Sequence, residues 1–243
     1  MRYAIVSDIH SNWEALSAVF ADIDSAGVDA VLCLGDTIGY GANPNECLDL
    51  IRERCTAVVA GNHDWAAIGL TSTEYFNPFA RQSAAWTAGA LRADHGEYIR
   101  GLPLSAVVED MLLVHSTPIV PEEWRYVLNS MDAAAELAAI DEPIAFIGHS
   151  HLPAVFERDQ DSARMVPFGE FVLDRPGRYL VNVGSVGQPR DRIPAAAYAL
   201  CTRTAGHVRV DLRRIPYDIP RAQGKILDAG LPRILADRLG RGE

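Results

Sequence analysis

The chain has 243 residues, of which 49% are hydrophobic and 22% charged, a composition typical of a soluble globular protein and not of a disordered or fibrous one. Its 22 Lys and Arg against 32 Asp and Glu give a formal charge of −10, so the surface repels phosphodiester backbones and stable binding of duplex nucleic acid is not expected. We expect a single domain over residues 1–243.

Cysteine spacing and hydropathy bear on the cellular location. Cys33, Cys47, Cys55 and Cys201 form no C-x-x-C pair, so we expect free thiols in a reducing compartment. No cationic leader precedes a sustained apolar stretch, and no run of roughly 18 apolar residues occurs. The sequence therefore predicts a cytoplasmic protein with no membrane partner.

The first 60 residues spell strand, helix, strand, helix, strand, which is typical of a parallel sheet. Strands are predicted over 4–7, 30–34 and 56–60. The first helix is expected to begin with a capping box of Ser11 and Glu14 and to end at Gly27. The second begins at Asn43-Pro44 and runs to about residue 54.

Later segments predict another helix and several antiparallel strands. Residues 75–100 read as helical, with Phe79, Ser83, Trp86 and Ala90 along one face. A hairpin joins 107–109 to 111–115, a strand covers 144–147, and 171–174 and 179–183 flank a turn. Strands 197–202 and 208–212 pair, and the tail from residue 219 is expected to be a packed helical cover.

Polar side chains follow the predicted strands directly, where each strand ends. The histidines in such positions are His10, His63, His115, His149 and His151, and the other polar residues beside them are Asp8, Asp36, Asn62 and Asp64. Because the loops at the carboxyl ends of parallel strands meet in one crevice, we expect these groups to converge.

Local spacing supports this convergence. Asp8 and His10 are two apart, as are His149 and His151, so in extended chain both members of each pair would face the same way. His95 and His207 have no ligand-like neighbours and are expected to be solvated loop residues.

Carboxylates, imidazoles and a carboxamide together suit a pair of divalent ions such as Mn, Fe or Zn better than calcium, which prefers oxygen ligands throughout. Two such ions would outweigh Asp8, Asp36 and a bridging hydroxide by about one positive charge. That balance favours a phosphorylated substrate.

The motifs D-x-H at 8–10, G-D-x-x at 35–38, G-N-H-D at 61–64 and G-H-x-H at 148–151, with His115 between the last two, resemble the calcineurin-like metallophosphoesterase family. The resemblance implies an α/β fold, a four-layer α/β/β/α sandwich of two mixed sheets flanked by helices. It assigns one ion to Asp8, His10, Asp36 and His151, and the other to Asp36 as bridge, Asn62, His115 and His149.

The same resemblance implies a mechanism, an in-line attack on phosphorus by a hydroxide that bridges the two ions. His63 would be the catalytic imidazole, hydrogen-bonding the transferring group or protonating the leaving oxygen, with Asp64 orienting it.

One difference from the family motif narrows the set of members that this chain resembles. Members that carry G-D-x-x-x-R-G have an arginine where this chain has Tyr40, which makes it similar to a bacterial branch of small uncapped enzymes related to diadenosine tetraphosphatases. That branch implies a phosphodiesterase or dinucleoside polyphosphate hydrolase acting on a small phosphorylated substrate. A phosphomonoesterase or protein phosphatase with the same metals is the alternative, and a non-catalytic adaptor on the same fold is another.

Three further residues are candidates for substrate binding. Arg190 could supply the missing guanidinium, or it could be an exposed loop residue. Asn12, at the start of the first helix, could bind phosphate or merely support the cap. Tyr40 could stack on a base or simply pack.

Overall fold

The computed structural model describes all 243 residues, and its strands form two mixed six-stranded sheets. The strands are β1 (Arg2–Val6), β2 (Ala30–Cys33), β3 (Ala57–Val58), β4 (Ser105–Val108), β5 (Met111–Val114), β6 (Ile144–Ile147), β7 (Ala154–Asp159), β8 (Ser162–Val166), β9 (Gly169–Val172), β10 (Tyr179–Asn182), β11 (Ala196–Thr204) and β12 (His207–Ile215). The helices are α1 (Trp13–Ala26), α2 (Pro44–Arg54), α3 (Asn62–Ala67), α4 (Pro78–Ala90), α5 (Ala93–Arg100), α6 (Ser130–Ala139), α7 (Ile219–Asp228) and α8 (Arg233–Leu239).

The first sheet has the order β3-β2-β1-β11-β12-β9 and the second the order β4-β5-β6-β10-β7-β8. In the first, β1, β2 and β3 are parallel and β11 is antiparallel to β1. In the second, β5, β6 and β10 are parallel and β7 runs against β10. The parallel strands of both sheets bring their carboxyl ends, and the loops that follow, to the region that holds the polar motifs.

The core lies between the sheets, where 18 buried side chains such as Ile5, Leu32 and Phe146 pack face to face. On the outer face of the first sheet, α1 and α2 bury their apolar stripes, with Phe20 among them. On the second, α6 contributes Leu137. The predicted four-layer sandwich is confirmed, and none of the helices has the length and apolar composition that a bilayer span requires.

The N-cap of helix α1 is Asn12, one residue after the predicted cap Ser11. Asn12 Oδ1 accepts from the Ala15 amide at 3.1 Å, whereas Ser11 lies in a left-handed turn with φ of 54° and its hydroxyl has no partner. The Ser11–Glu14 capping box is therefore wrong, because the turn that shapes the site leaves Ser11 outside the helix. Gly27 ends α1 as predicted, at φ of 63°.

The structure corrects one further prediction and refines another. Residues 75–100 form two helices, α4 and α5, and the buried face of α4 uses Ala80, Ser83, Ala84 and Thr87, while Phe79 is 48% exposed. The segments 171–174 and 179–183 flank a turn as predicted but do not pair across it, since β9 pairs with β12 and β10 with β6 and β7. In both cases tertiary packing outweighs the local pattern.

The carboxyl-terminal helices form the expected cover. Leu235 and Leu239 of α8 and Ala222 and Ile226 of α7 pack with Tyr40 in one apolar cluster. The sequence analysis did not predict helix α6 or the β7–β8 hairpin. The prediction of free cysteines is confirmed, and three of them are buried while Cys55 is partly buried.

Candidate metal centre

All seven predicted metal ligands converge in one buried cluster, and five loops deliver them. Asp8 and His10 follow β1, Asp36 follows β2, Asn62 opens α3 after β3, His115 follows β5, and His149 and His151 follow β6. The clusters able to hold a cation are Asp8 with His10 and His151, His10 with Asp36 and His63, and Asp36 with His115 and His149.

The first cluster surrounds one oxygen of Asp8. Its Oδ2 accepts from the Ser7 hydroxyl at 2.7 Å and from the His149 amide at 3.0 Å. The other oxygen, Oδ1, is buried without a hydrogen bond and lies 3.2 Å from His151 Nε2 and 3.7 Å from His10 Nε2. A buried carboxylate oxygen facing imidazole nitrogens is the donor set a divalent cation takes.

The second cluster surrounds Asp36 in the same way. Its Oδ1 accepts from the His63 amide at 2.7 Å, which leaves Oδ2 3.3 Å from His115 Nε2. His115 Nε2 also lies 3.3 Å from Asn62 Oδ1. Because Asp36 Oδ2 is also 3.7 Å from His10 Nε2, it stands between the two clusters, where a bridging ligand would be needed.

Backbone carbonyls fix which ring nitrogen of each histidine faces the cluster. A carbonyl can only accept, so the nitrogen beside it carries the hydrogen and the opposite nitrogen presents its lone pair. The pairs are His10 Nδ1 with Ile38 (3.2 Å), His115 Nδ1 with Leu34 (2.8 Å), His151 Nδ1 with Gln188 (2.6 Å) and His149 Nε2 with Trp124 (2.8 Å). The ligand set is thus oriented by the chain itself and fits a pair of divalent ions.

The ligand loops are strained. Five of the seven candidate ligands have positive φ, namely Asp8 (53°), His10 (51°), Asp36 (50°), His149 (65°) and His151 (62°). Left-handed turns, and not strand alternation, therefore aim these side chains inward. The prediction that the two residues of each pair face the same way in extended chain is wrong. Such strain is concentrated at functional sites, where the surrounding structure sustains it.

Two glycines allow the loops to approach one another. A Cβ at Gly61 would collide with Asp36 Oδ1, and one at Gly148 would collide with Ser7 Oγ and Asp8 Oδ2. Both glycines are required by close packing against the carboxylates, more than by a turn of their own.

His63 lies beside the first cluster, with its ring 4.4 Å from that of Tyr40 and 4.8 Å from that of Phe76. Its Nδ1 is buried without a partner, and burial lowers the pKa of the imidazole, so the ring is neutral. The role predicted for Asp64 needs correction, because its carboxylate accepts from the Gly61 and Ile38 amides at 3.0 and 3.2 Å. Asp64 fixes the loops that carry His63 and makes no hydrogen bond to its ring. Burial and the nearby Asp36 raise the pKa of Asp64 to about 7.

Charge within the cluster favours a bound cation. Burial raises the pKa values of Asp8 and Asp36, but the surrounding histidines outweigh it and lower both. Burial opposes protonation of His115, yet the two carboxylates raise its pKa to about 9. Burial lowers the pKa of His149 to about 4, aided by His115, and that of His151 to about 3, aided by Arg190. The carboxylates are therefore ionised and His149 and His151 are neutral, as metal binding requires, whereas His115 has to release a proton when it binds a metal.

The three candidate substrate residues differ in position. Both amide atoms of Asn12 are engaged, Oδ1 in the helix cap and Nδ2 with the Gly187 carbonyl at 2.9 Å. Tyr40 is buried against His10, with ring centroids 4.6 Å apart. Arg190 alone is partly exposed. Its Nη2 donates to Gln188 at 3.2 Å, its Nε has no partner, and its charge reaches His63 and His151.

Sequence reasoning missed two supports of the site. Asn182, at the end of β10, donates to the Gly148 carbonyl at 2.6 Å and accepts from the Gly184 amide at 2.9 Å. Arg238 of α8 lies with its guanidinium 6.0 Å from the Tyr40 ring centroid, and burial and Arg190 lower its pKa. The signal available for Asn182 was a polar residue at the end of a buried strand. No feature of the local sequence indicates a role for Arg238.

The remaining histidines were predicted to be solvated. His207 is exposed at the start of β12, as expected. The prediction for His95 is wrong, because it is fully buried in α5 and its nitrogens meet Asn45 Oδ1 at 3.0 Å and Asp49 Oδ1 at 2.9 Å. Its partners come from α2, which local sequence does not reveal.

Two facing mixed sheets with carboxylates and imidazoles at the ends of their parallel strands define a metallophosphoesterase fold. Residues 1–205 match the model of the calcineurin-like phosphoesterase superfamily domain, and the chain belongs to this family. The seven candidate ligands and His63 all fall within the matched residues, while α7 and α8 lie beyond them.

The chain is also similar to other proteins of known sequence or structure. An uncharacterized protein of Methanocaldococcus jannaschii is 38% identical over 245 residues, which cover 98% of this chain and 97% of that protein. The crystal structure of a metallophosphoesterase from Sphaerobacter thermophilus is similar with a TM-score of 0.86 at 38% identity, covering 100% of this chain and 99% of that one. A hypothetical protein from Pyrococcus horikoshii shares the fold, with a TM-score of 0.80 at 17% identity over 100% and 98% of the two chains.

Proposed function

We propose that this protein is a phosphoesterase that uses two divalent metal ions to hydrolyse a small phosphodiester or a dinucleoside polyphosphate. The observation that carries the proposal is the position of Asp36 Oδ2 between His115 Nε2, at 3.3 Å, and His10 Nε2, at 3.7 Å. A carboxylate oxygen shared by two ligand clusters is what a two-ion centre needs.

Asp8, His10, Asp36 and His151 would hold one ion, and Asp36, Asn62, His115 and His149 would hold the other. When bound, two divalent ions such as Mn, Fe or Zn lower the pKa of a water molecule and neutralise phosphoryl oxygens. The backbone carbonyls of Ile38, Leu34, Gln188 and Trp124 keep the imidazoles in the required orientation throughout.

His63 and Arg190 act on the substrate. His63 is neutral and its Nδ1 has no partner, so the ring can hydrogen-bond a phosphoryl oxygen, and to protonate the leaving oxygen it would first take up the proton that the attacking water releases. Arg190 is a partly exposed residue whose Nε has no partner, and a guanidinium fork matches the paired oxygens of a phosphoryl group. It replaces the arginine that Tyr40 displaces from the motif after β2.

The substrate is small and not a nucleic acid duplex, since the chain carries a formal charge of −10. The four free cysteines support a reducing compartment and hence a cytoplasmic location.

The test uses the full chain loaded with Mn²⁺ and assayed on bis(p-nitrophenyl) phosphate, p-nitrophenyl phosphate and diadenosine tetraphosphate. We expect hydrolysis of the diester and of the polyphosphate to exceed that of the monoester. Preference for the monoester would favour the phosphomonoesterase or protein phosphatase alternative. Absence of turnover on all three, in protein shown to hold two ions, would overturn the proposal.

A further inference from the structure

A cleft of about 610 Å³ opens beside the metal centre, and the proposed reaction leaves its use unexplained. Asn62 and His149, two of the candidate ligands, lie among its lining residues. We refer to it as the aromatic cleft, because its other walls include Tyr75, Phe76, Trp124 and Tyr126. A concave site that reaches metal ligands and is walled by aromatic rings is the usual form of a ligand pocket.

Two of these rings are available for contact. Tyr75 is 94% exposed and Tyr126 is 49% exposed. A single exposed aromatic residue needs no explanation, but two flanking one cleft expose apolar area that the fold could have buried. Their ring faces offer a surface on which a planar group can stack.

The wall formed by Trp124 and Tyr126 is tied to the metal centre. The Trp124 carbonyl accepts from His149 Nε2 at 2.8 Å, and the Tyr126 ring stacks on His149 with centroids 4.1 Å apart and planes 13° from parallel. Trp124 also meets Trp65 edge to face at 5.5 Å. This wall of the aromatic cleft is therefore held in place before any ligand arrives, which reduces the entropy lost on binding.

The charge of the cleft differs from that of the surroundings of Arg190. Its acidic residues are Glu122 and Glu123, of which Glu123 pairs with Arg125, and no lysine or arginine lines it. Arg190 does not line it, and its Nη2 donates instead to the side chain of Gln188, the residue whose carbonyl holds His151. A phosphate chain is thus favoured towards Arg190, and an uncharged ring with hydrogen-bond donors is favoured in the cleft.

We propose that the aromatic cleft binds the base of a nucleotide whose phosphate occupies the metal centre, with Tyr75 and Tyr126 stacking on the heterocycle. The inference rests on the proposed function and names its substrate class as nucleotides. Stacking tolerates any base because each has a π-face, so the cleft selects for a planar ring more than for one particular base.

The test measures binding by calorimetry to Mn²⁺-loaded protein, with adenosine 5′-phosphate, ribose 5-phosphate and inorganic phosphate as ligands. We expect adenosine 5′-phosphate to bind about 5- to 150-fold more tightly than ribose 5-phosphate. In Tyr75→Ala and Tyr126→Ala that ratio should fall towards one, and in Tyr75→Ala, which leaves the candidate metal ligands untouched, ribose 5-phosphate should bind as tightly as in the wild type. Phe79→Ala removes an exposed ring outside the cleft and should leave the ratio as in the wild type.

Metal content is measured in each variant, because Tyr126 touches a candidate ligand, whereas the exposed Tyr75 can be removed without disturbing packing. Equal affinity of the wild type for the nucleotide and the sugar phosphate would overturn the inference and leave the phosphoesterase proposal standing. Failure to bind any of the three phosphates would instead count against the proposed function itself.

Discussion

Buried histidines of this chain fall into two kinds, those of the metal centre and His95. In the centre, His10, His115, His149 and His151 each give one nitrogen to a backbone carbonyl and leave the other facing carboxylate oxygens. His95 is equally buried, but both of its nitrogens meet side-chain oxygens of α2, from Asn45 and Asp49.

The difference teaches what marks a ligand. In the centre Asp8 and Asp36 each have one oxygen held by the protein, by amides and a hydroxyl, and the other turned towards imidazoles. Hydrogen bonding inside the cluster is therefore incomplete, which is costly unless a cation completes it. Around His95 the carboxylate of Asp49 is satisfied by Arg92 as well, so no cation is called for.

The largest expected difference lies between two variants, each of which lacks one histidine of one kind. His115→Ala removes a candidate ligand whose Nε2 lies 3.3 Å from both Asp36 Oδ2 and Asn62 Oδ1. We therefore expect the variant to hold fewer ions than the wild type and to lose roughly 10³-fold or more in turnover. Metal analysis of the purified protein and diester hydrolysis measure the two effects.

His95→Ala is the matched control. It should keep the wild-type ion content and turnover but lose about 1–3 kcal/mol of unfolding free energy, because Asn45 and Asp49 lose their buried partner. Equal loss of metal in both variants would mean that the distinction between the two kinds is wrong. If His95→Ala does not fold, His95→Gln retains a donor and serves in its place.

His63 sharpens the comparison because it has features of both kinds. It lies in a cluster with His10 and Asp36, yet its Nδ1 has no partner. We expect His63→Ala to retain both ions and to lose roughly 10²- to 10⁴-fold in turnover, most strongly on substrates with poor leaving groups that need a proton. Reduced ion content in this variant would make His63 a ligand, and unchanged turnover would deny it a role.

Residues that hold the ligand loops in place without being candidate ligands should have a smaller effect on metal binding. Asn182→Ala removes the donor to the Gly148 carbonyl and the acceptor for the Gly184 amide, which hold the loop of His149 and His151. We expect metal affinity to fall roughly 10- to 100-fold, as measured by titration of the metal-free protein. Asn182→Asp keeps the volume and the acceptor, so it separates loss of the donor from creation of a cavity. A wild-type affinity in both variants would show that the loop holds its shape without Asn182.

Much of the fold, and the grouping of all seven candidate ligands in one place, could be predicted from the sequence, since polar motifs follow buried strands at places where parallel strands must end together. Asp8, Asp36 and His149 belong to such motifs. The way these residues converge could not be predicted. Their left-handed turns depend on Gly61 and Gly148 packing against carboxylates from other loops, which is a tertiary effect.

Backbone groups and distant partners account for the other failures. The carbonyl of Trp124 orients His149, but a carbonyl belongs to every residue and leaves no mark in a sequence. His95 was expected in solvent because its partners Asn45 and Asp49 are 50 and 46 residues away. Helix α6 was missed since its buried side, Ala133, Glu136 and Leu137, carries little apolar contrast.

The smallest expected effect concerns the pH dependence of the His95 cluster. Hydrogen bonds from Arg92, aided by His95, lower the pKa of Asp49 to about 2, below the value of about 4 expected in the unfolded chain. A depressed carboxyl pKa stabilises the fold above the unfolded pKa, and this stabilisation is lost as the pH falls from about 4 to about 2. Because the Asp49 carboxylate is half exposed, the loss should stay below about 1 kcal/mol. Asp49→Asn should therefore flatten the acid side of the stability profile slightly in urea unfolding at pH 5 to 2, with diester turnover at neutral pH unchanged. A profile parallel to that of the wild type would show that the surface ion pair contributes nothing, and that His95 is held by packing and Asn45 alone.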